Sequence, residues 1–192
     1  MTNIRWGTSS IRRAAGFSAI ELMMTVSVMT VVGSMAAFQV GNARPALKGD
    51  GAMRVVMSQV NTARELAITQ RRFIQLTFTN PNTVSAIRQE LNNTTTTLSQ
   101  VPFEGGVQFS LMNSVPDTPD AFGNAAAVAF GSATAIRFGS DGTLVDQAGN
   151  PINGTVFLAL PNLPRSFRAV TIMGATGRVR GYKWDGAHWV LV

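Results

Sequence analysis

No residue from Leu22 to Ala43 carries a charge. The apolar run Phe17–Val40 that contains this stretch is broken only by Glu21. As a helix the run would be about 36 Å long, enough to cross a hydrocarbon core of about 30 Å. A polar, basic segment ending Arg12-Arg13-Ala14-Ala15-Gly16 precedes it, and charges resume at Arg44. A general secretory signal has an apolar stretch of only about 7–15 residues, so this run is too long for one. Ile11-Arg12-Arg13 suggests a twin-arginine signal but lacks the apolar residue that usually follows the pair. An ordinary anchor fits the length, with Arg12 and Arg13 holding its start on the cytoplasmic side. It leaves Glu21 unexplained. A carboxylate inside an apolar helix costs about 2.5–3.5 kcal/mol near a bilayer centre, and less near its surface.

The order Gly16-Phe17-Ser18-Ala19-Ile20-Glu21-Leu22 resembles the class III signal of type IV pilins and pseudopilins. The departure is Ala19, where that family mostly has leucine. The resemblance implies a leader, residues 1–16, removed by a membrane-embedded prepilin peptidase between Gly16 and Phe17. It implies N-methylation of the new terminus at Phe17. It makes Glu21 the fifth residue of the mature chain, placed to neutralise the terminal ammonium of a neighbouring subunit in a filament core. It places the protein in the bacterial inner membrane as a single-pass chain with its C-terminal domain in the periplasm. Other pilins or pseudopilins would be its partners.

Three of the 16 basic residues, Arg5, Arg12 and Arg13, lie in that leader. The remaining 13 against 10 acidic residues leave a net charge of +3, less favourable to nucleic acid than the precursor's +6. The chain has no cysteine, which excludes disulfides, thiolate nucleophiles and cysteine metal sites. Its one histidine, His188, leaves little scope for a zinc site or a Ser–His pair.

Beyond the apolar segment, residues 17–44, a break is expected at 45–51. Pro45 removes a donor, while Gly49 and Gly51 weaken a helix. Asp50 would cap a second helix over residues 52–71. Met53, Val56, Met57, Val60, Ala63 and Ala67 form an apolar stripe along it, with Arg54, Ser58, Asn61, Glu65 and Thr69 off it. After Arg72 the period becomes that of strands, expected at 73–79, 83–90, 107–112, 133–138, 143–146, 154–160, 166–173, 178–184 and 187–192. Asn92–Thr97 reads as a polar loop, and 113–132 as a long, exposed, irregular connection. One helix followed by strands gives an α+β protein, its globular domain spanning 52–192. With this pattern, the first resemblance implies the type IV pilin-like fold, a long N-terminal helix on an antiparallel sheet domain. Ile136-Arg137-Phe138, Gly142, Thr155–Leu160, Arg168–Ile172 and Gly177-Arg178-Val179-Arg180 further resemble the GspH/FimT group.

Asp117, Asp120, Asp141, Asp146, Asp185 and His188 are the titratable candidates for catalysis. The aspartates beside Pro or Gly have a sufficient explanation as turn residues, and no phosphate loop, dinucleotide fingerprint or nucleophile elbow is present. No enzymatic activity, cofactor or metal is expected. Arg178, Arg180, Tyr182, Lys183 and Trp184 are the candidate DNA-binding set. In an extended segment Arg178, Arg180 and Tyr182 share one side about 7 Å apart, which suits phosphate contact with adjacent stacking. Gly-Arg-x-Arg resembles the DNA-contacting motif of FimT proteins. Three functions follow: a minor pilin that primes or caps a type IV pilus, a pseudopilin of type II secretion, and a DNA receptor on an uptake pilus.

Overall fold

The structure, a computed structural model, describes residues 16–113, 115–133 and 135–192. The leader expected over residues 1–16 therefore lies, up to residue 15, outside the described residues. A long helix α1 (Ala19–Gln70) is followed by eleven strands, all antiparallel where they pair. They are β1 (Ile74–Thr79), β2 (Thr83–Gln89), β3 (Thr95–Pro102), β4 (Gln108–Phe109), β5 (Val128–Ala129) and β6 (Ile136–Phe138). Then come β7 (Leu144–Val145), β8 (Gly154–Leu160), β9 (Leu163–Met173), β10 (Arg178–Trp184) and β11 (Trp189–Leu191). The protein is α+β. Two compact units divide at Asn42/Ala43, and α1 contributes to both.

In the second unit, Ala43–Val192, two sheets share one core. The first has the order β3-β2-β1-β6-β7 and the second β11-β10-β9-β8-β4, with β5 also paired to β8. Met53, Val56, Val60, Ala63 and Ala67 are all buried, at 1% exposure or less. This stripe meets Ile74 and Leu76 of β1, Phe138 of β6, Leu158 of β8 and Ile172 of β9 in one cluster. Burying an aliphatic side chain contributes about 1.5–3 kcal/mol, so the stripe fixes how helix and sheets meet. The helix ends where Arg71 takes a left-handed φ of 51° and the Arg72 N–H donates to the Ala67 carbonyl at 3.3 Å. That is a Schellman-type stop built on arginine instead of the usual glycine.

The break expected at 45–51 does not occur: α1 runs through Pro45, Gly49 and Gly51. Pro45 still deprives the Gly41 carbonyl of its helical donor. The following turn is held by the second sheet instead. Arg168, on β9 and only 3% exposed, donates from Nε to Asp50 Oδ1 at 2.6 Å and from Nη2 to the Ala46 carbonyl at 3.0 Å. Asp50 is thus a counter-ion within a helix and not a cap. Gly49 is not a breaker either. A Cβ there would overlap the Ser166 carbonyl oxygen, so its hydrogen side chain lets helix and strand backbones touch. Gly181 on β10 instead makes room for side chains, since the sulfurs of Met53 and Met57 crowd the place a Cβ would take.

Two further expectations are corrected. Thr95–Thr97, read as loop, begin the edge strand β3, because β-branched threonines suit a half-exposed strand. The connection after β4 is not a free loop. Leu111, Met112 and Val115 pack on Phe157, Phe167, Ala169 and Tyr182, the face of the second sheet turned away from the helix. Thr118 is buried at 2% exposure, and the Trp189 Nε1–H donates to the Pro116 carbonyl at 2.9 Å. That face is apolar along β8 and β9, so something in the chain has to cover it.

Candidate functional site

The first site is the start of α1. Gly16 and Phe17 precede the helix, and Phe17 is exposed. Ser18 stands immediately before the first helical residue, and its Oγ accepts from the Ile20 N–H at 3.3 Å. Its carbonyl accepts from the Leu22 N–H at 3.1 Å. Ser18 is therefore a helix N-cap, and Glu21, three residues on, lies in the first turn where the helix dipole favours an anion. Ser-x-x-Glu is also the capping-box pattern, a second reason for a glutamate here that the sequence already contained.

The segment Ala19–Ala37 is long and apolar enough to cross a membrane, with a mean hydropathy of 1.6, and none of it is buried. Ile20, Met23, Val28 and Met29 are all more than 60% exposed, so among the described residues the apolar side chains around the helix have no partner. The polar residues within it are satisfied internally. Thr25, Ser27, Thr30 and Ser34 donate to the carbonyls of Leu22, Met23, Val26 and Val31 at 2.8–2.9 Å. A hydroxyl closed on its own helix offers no unmet donor to lipid or to a neighbouring helix.

The second site is β10, where the candidate nucleic-acid residues fall into different environments. Arg178 is exposed. Arg180 donates from Nη1 to Asp120 Oδ1 at 2.9 Å. Tyr182, 3% exposed, donates its hydroxyl to Asp120 Oδ2 at 3.0 Å, and Thr171 donates to the same oxygen at 2.6 Å. Lys183 is exposed but points to the opposite side of the strand, the helix side, as its pairing with Val190 requires. Trp184 stacks edge-on with Trp189, ring centres 5.3 Å apart. The stacking surface expected from Tyr182 is thus inside the protein, and half of the arginine pair already has a carboxylate.

Asp120 is the residue missed. In the sequence it has the look of a loop aspartate beside proline, and its partners lie 51–62 residues later in the chain. The one usable signal was Thr171, a hydroxyl in the middle of the apolar strand β9, which demands a partner once buried. Burial pushes the Asp120 carboxyl up, but its bonds from Thr171, Tyr182 and Arg180 outweigh this and hold it below the ordinary range. Burial, then the bond to Asp120, raises the Tyr182 phenol, which stays a neutral donor. Asp120 is ionised in the fold and easier to protonate when unfolded, so it adds stability above its unfolded pKa of about 3.9. That stability disappears as pH falls through the lower folded value. Asp120→Asn should cost the domain about 2 kcal/mol at pH 7, the worth of a charged hydrogen bond. In urea unfolding followed against pH, the gap to the parent should narrow as pH falls below the unfolded value and through the lower folded one.

Asp141, Asp146 and Asp185 each accept backbone N–H bonds from residues two to four places on. Asp117 likewise accepts from the N–H groups of Thr118 and Gly123, at 2.7 Å each. These bonds account for all four as turn residues. His188 is exposed, and its own N–H donates to Asp185. Among the described residues no three His, Asp or Glu side chains converge as a metal-ligand set.

The sequence matches no protein-family model and no curated protein. Among solved structures the chain is similar to the type IV minor pilin FimU of Pseudomonas aeruginosa, with a TM-score of 0.46 and 16% identity. The alignment covers 68% of this chain and 84% of that one.

Proposed function

We propose that the protein is a minor type IV pilin, a structural subunit without catalytic activity. Its precursor would be anchored in the bacterial inner membrane with the domain in the periplasm. After cleavage between Gly16 and Phe17 and methylation of Phe17, it would join other pilins through α1. One observation carries the reading. A helical segment charged only at Glu21, apolar on every side and wholly exposed among the described residues, is attached to a domain whose core is complete without it. Such a helix has to be covered by lipid or by other helices. Glu21 in its first turn suits a subunit that leaves the one for the other, because its charge needs a partner once lipid and water are gone. A pseudopilin of type II secretion would be built on the same physics, with sister pseudopilins and exported proteins as partners. For DNA uptake, Arg178 alone of the candidate set is both exposed and on the expected side, and no observation on β10 favours that reading.

Intact-mass measurement tests the proposal. Expressed with an active prepilin peptidase, the membrane-bound chain should begin at N-methylated Phe17. A Gly16→Arg precursor should stay uncut. A mature chain that keeps residues 1–16 would overturn the proposal. Cross-linked partners, pilins or secretion pseudopilins, then decide between the two filaments.

A further inference from the structure

The end of the domain where its chain enters carries a surface that folding leaves unused. Leu47 is 67% exposed and Leu163, at the start of β9, is 44% exposed. Arg44, Lys48 and Arg165 are exposed as well. Contacts inside the domain bring these residues together from distant parts of the sequence. The Gly49 backbone lies against Ser166, Arg168 links the Ala46 carbonyl to that of Arg165, and the Lys48 stem lies over Gly105. Beside Leu47 an open groove of about 470 Å³, lined by Val55, Val101 and Pro102, extends the apolar area. Two carboxylates are near. Asp50 is already paired with Arg168, so among these described residues Glu104 is left to oppose three cations.

We propose that this end of the domain is a lipid-facing surface: Leu47 and Leu163 enter the interface of an anionic bilayer, and Arg44, Lys48 and Arg165 meet its headgroups. The inference rests on the membrane-anchored reading above. Covalent connection supplies the argument for the occupant. Arg44 follows the last residue of the apolar run, Val40, by four residues, at most about 14 Å of extended chain. While the apolar segment lies in a bilayer, Arg44 stays within that reach of its surface, with Lys48 one helical turn further on. Leucines flanked by long basic side chains are the composition that inserts shallowly while the charges stay at headgroup level. The attraction is screened by salt, as for any exposed charge. The domain would thus rest on the membrane before assembly instead of moving freely above it. Extraction into a filament would have to break this contact.

The absence of cysteine allows single labelling sites in the full mature chain. Spin labels are placed by Leu163→Cys on the proposed surface, Leu91→Cys on the 85%-exposed β2–β3 turn, and Val28→Cys in the apolar segment. Each chain is reconstituted in nanodiscs of phosphatidylcholine, with or without one-third phosphatidylglycerol. Collision with oxygen, which partitions into lipid, is compared with collision with a water-soluble nickel complex. With anionic lipid the oxygen-to-nickel ratio at Leu163→Cys should rise about threefold or more over that at Leu91→Cys. The rise should vanish in molar salt, and when Arg44→Gln, Lys48→Gln and Arg165→Gln are combined. A Leu163→Cys label as wet as the Leu91→Cys label in both lipids, with the Val28→Cys label in hydrocarbon, overturns the inference and leaves the anchor standing. A Val28→Cys label in water overturns the anchor reading, and this inference with it.

Discussion

The Asp50→Ala variant should lose about 3 kcal/mol of stability, the low end for breaking a buried ion pair. The loss comes mainly from what remains. Arg168 stays in a site that leaves it 3% exposed, with carbonyls of Ala46, Arg165 and Phe167 on its nitrogens but no anion. Those carbonyls keep its protons bonded, which is why the low end applies. Removing the other partner, as in Arg168→Met, should cost less, because Asp50 is 34% exposed and can be hydrated. The surface pair Arg88–Glu90 is the control: it is partly exposed on both sides, and Arg88→Ala should change little. Urea unfolding of residues 43–192 measures all three. With an m-value of about 2 kcal/mol/M, the Asp50→Ala midpoint should fall by about 1.5 M. Equal midpoints for Asp50→Ala and Arg88→Ala would show that the Asp50–Arg168 pair does not hold this turn. A fragment beginning at Ala52 should resemble Asp50→Ala, since it lacks the same carboxylate.

Glu21→Ala should insert into membranes at least as well as the parent and yet be recovered in sheared filaments about tenfold less. Insertion becomes easier because a carboxylate costing up to about 3 kcal/mol in the apolar region is gone. Assembly fails because a neighbour's terminal ammonium would be buried without its counter-ion. Glu21 also stands at the capping-box position behind Ser18, and Glu21→Gln separates that role from the proposed pairing. Glutamine keeps the capping-box geometry and removes the charge. Glu21→Gln should therefore fail like Glu21→Ala. Parent-like recovery of Glu21→Gln would assign the residue to the helix cap instead. Cleavage at Gly16 has to be checked in each variant, since an uncut precursor has no terminal ammonium to pair.

What was legible in the sequence was what depends on near neighbours. The stripe Met53–Ala67 has the period of a helix that buries one side, and it lies on the core as that period requires. Gly154–Leu160 and Arg178–Trp184 are strands with the expected limits, because turn residues bound them and β-branched or aromatic residues fill them. The failures have the opposite cause. Pro45 and Gly49 read as a break because the contacts that hold this turn come from Ser166 and Arg168, about 120 residues on. The loop carrying Asp120 read as exposed because the apolar face it covers is made by later strands. Tyr182 read as a stacking surface because strand alternation gives a side but not whether that side is covered. The start of α1 was legible through resemblance, and the Ser18 cap was there to be read as well.

The Met53 and Met57 sulfurs against Gly181 join the beginning of the domain to its end. Val192, the final residue, donates its N–H to the Gly181 carbonyl at 2.9 Å. The helix can therefore close its core only once β9 and β10 have arrived. Contacts of such long sequence separation form slowly. Until then the stripe from Met53 to Ala67 stands uncovered. Arrival of β10, and not formation of the helix, would set when the domain becomes resistant to proteases.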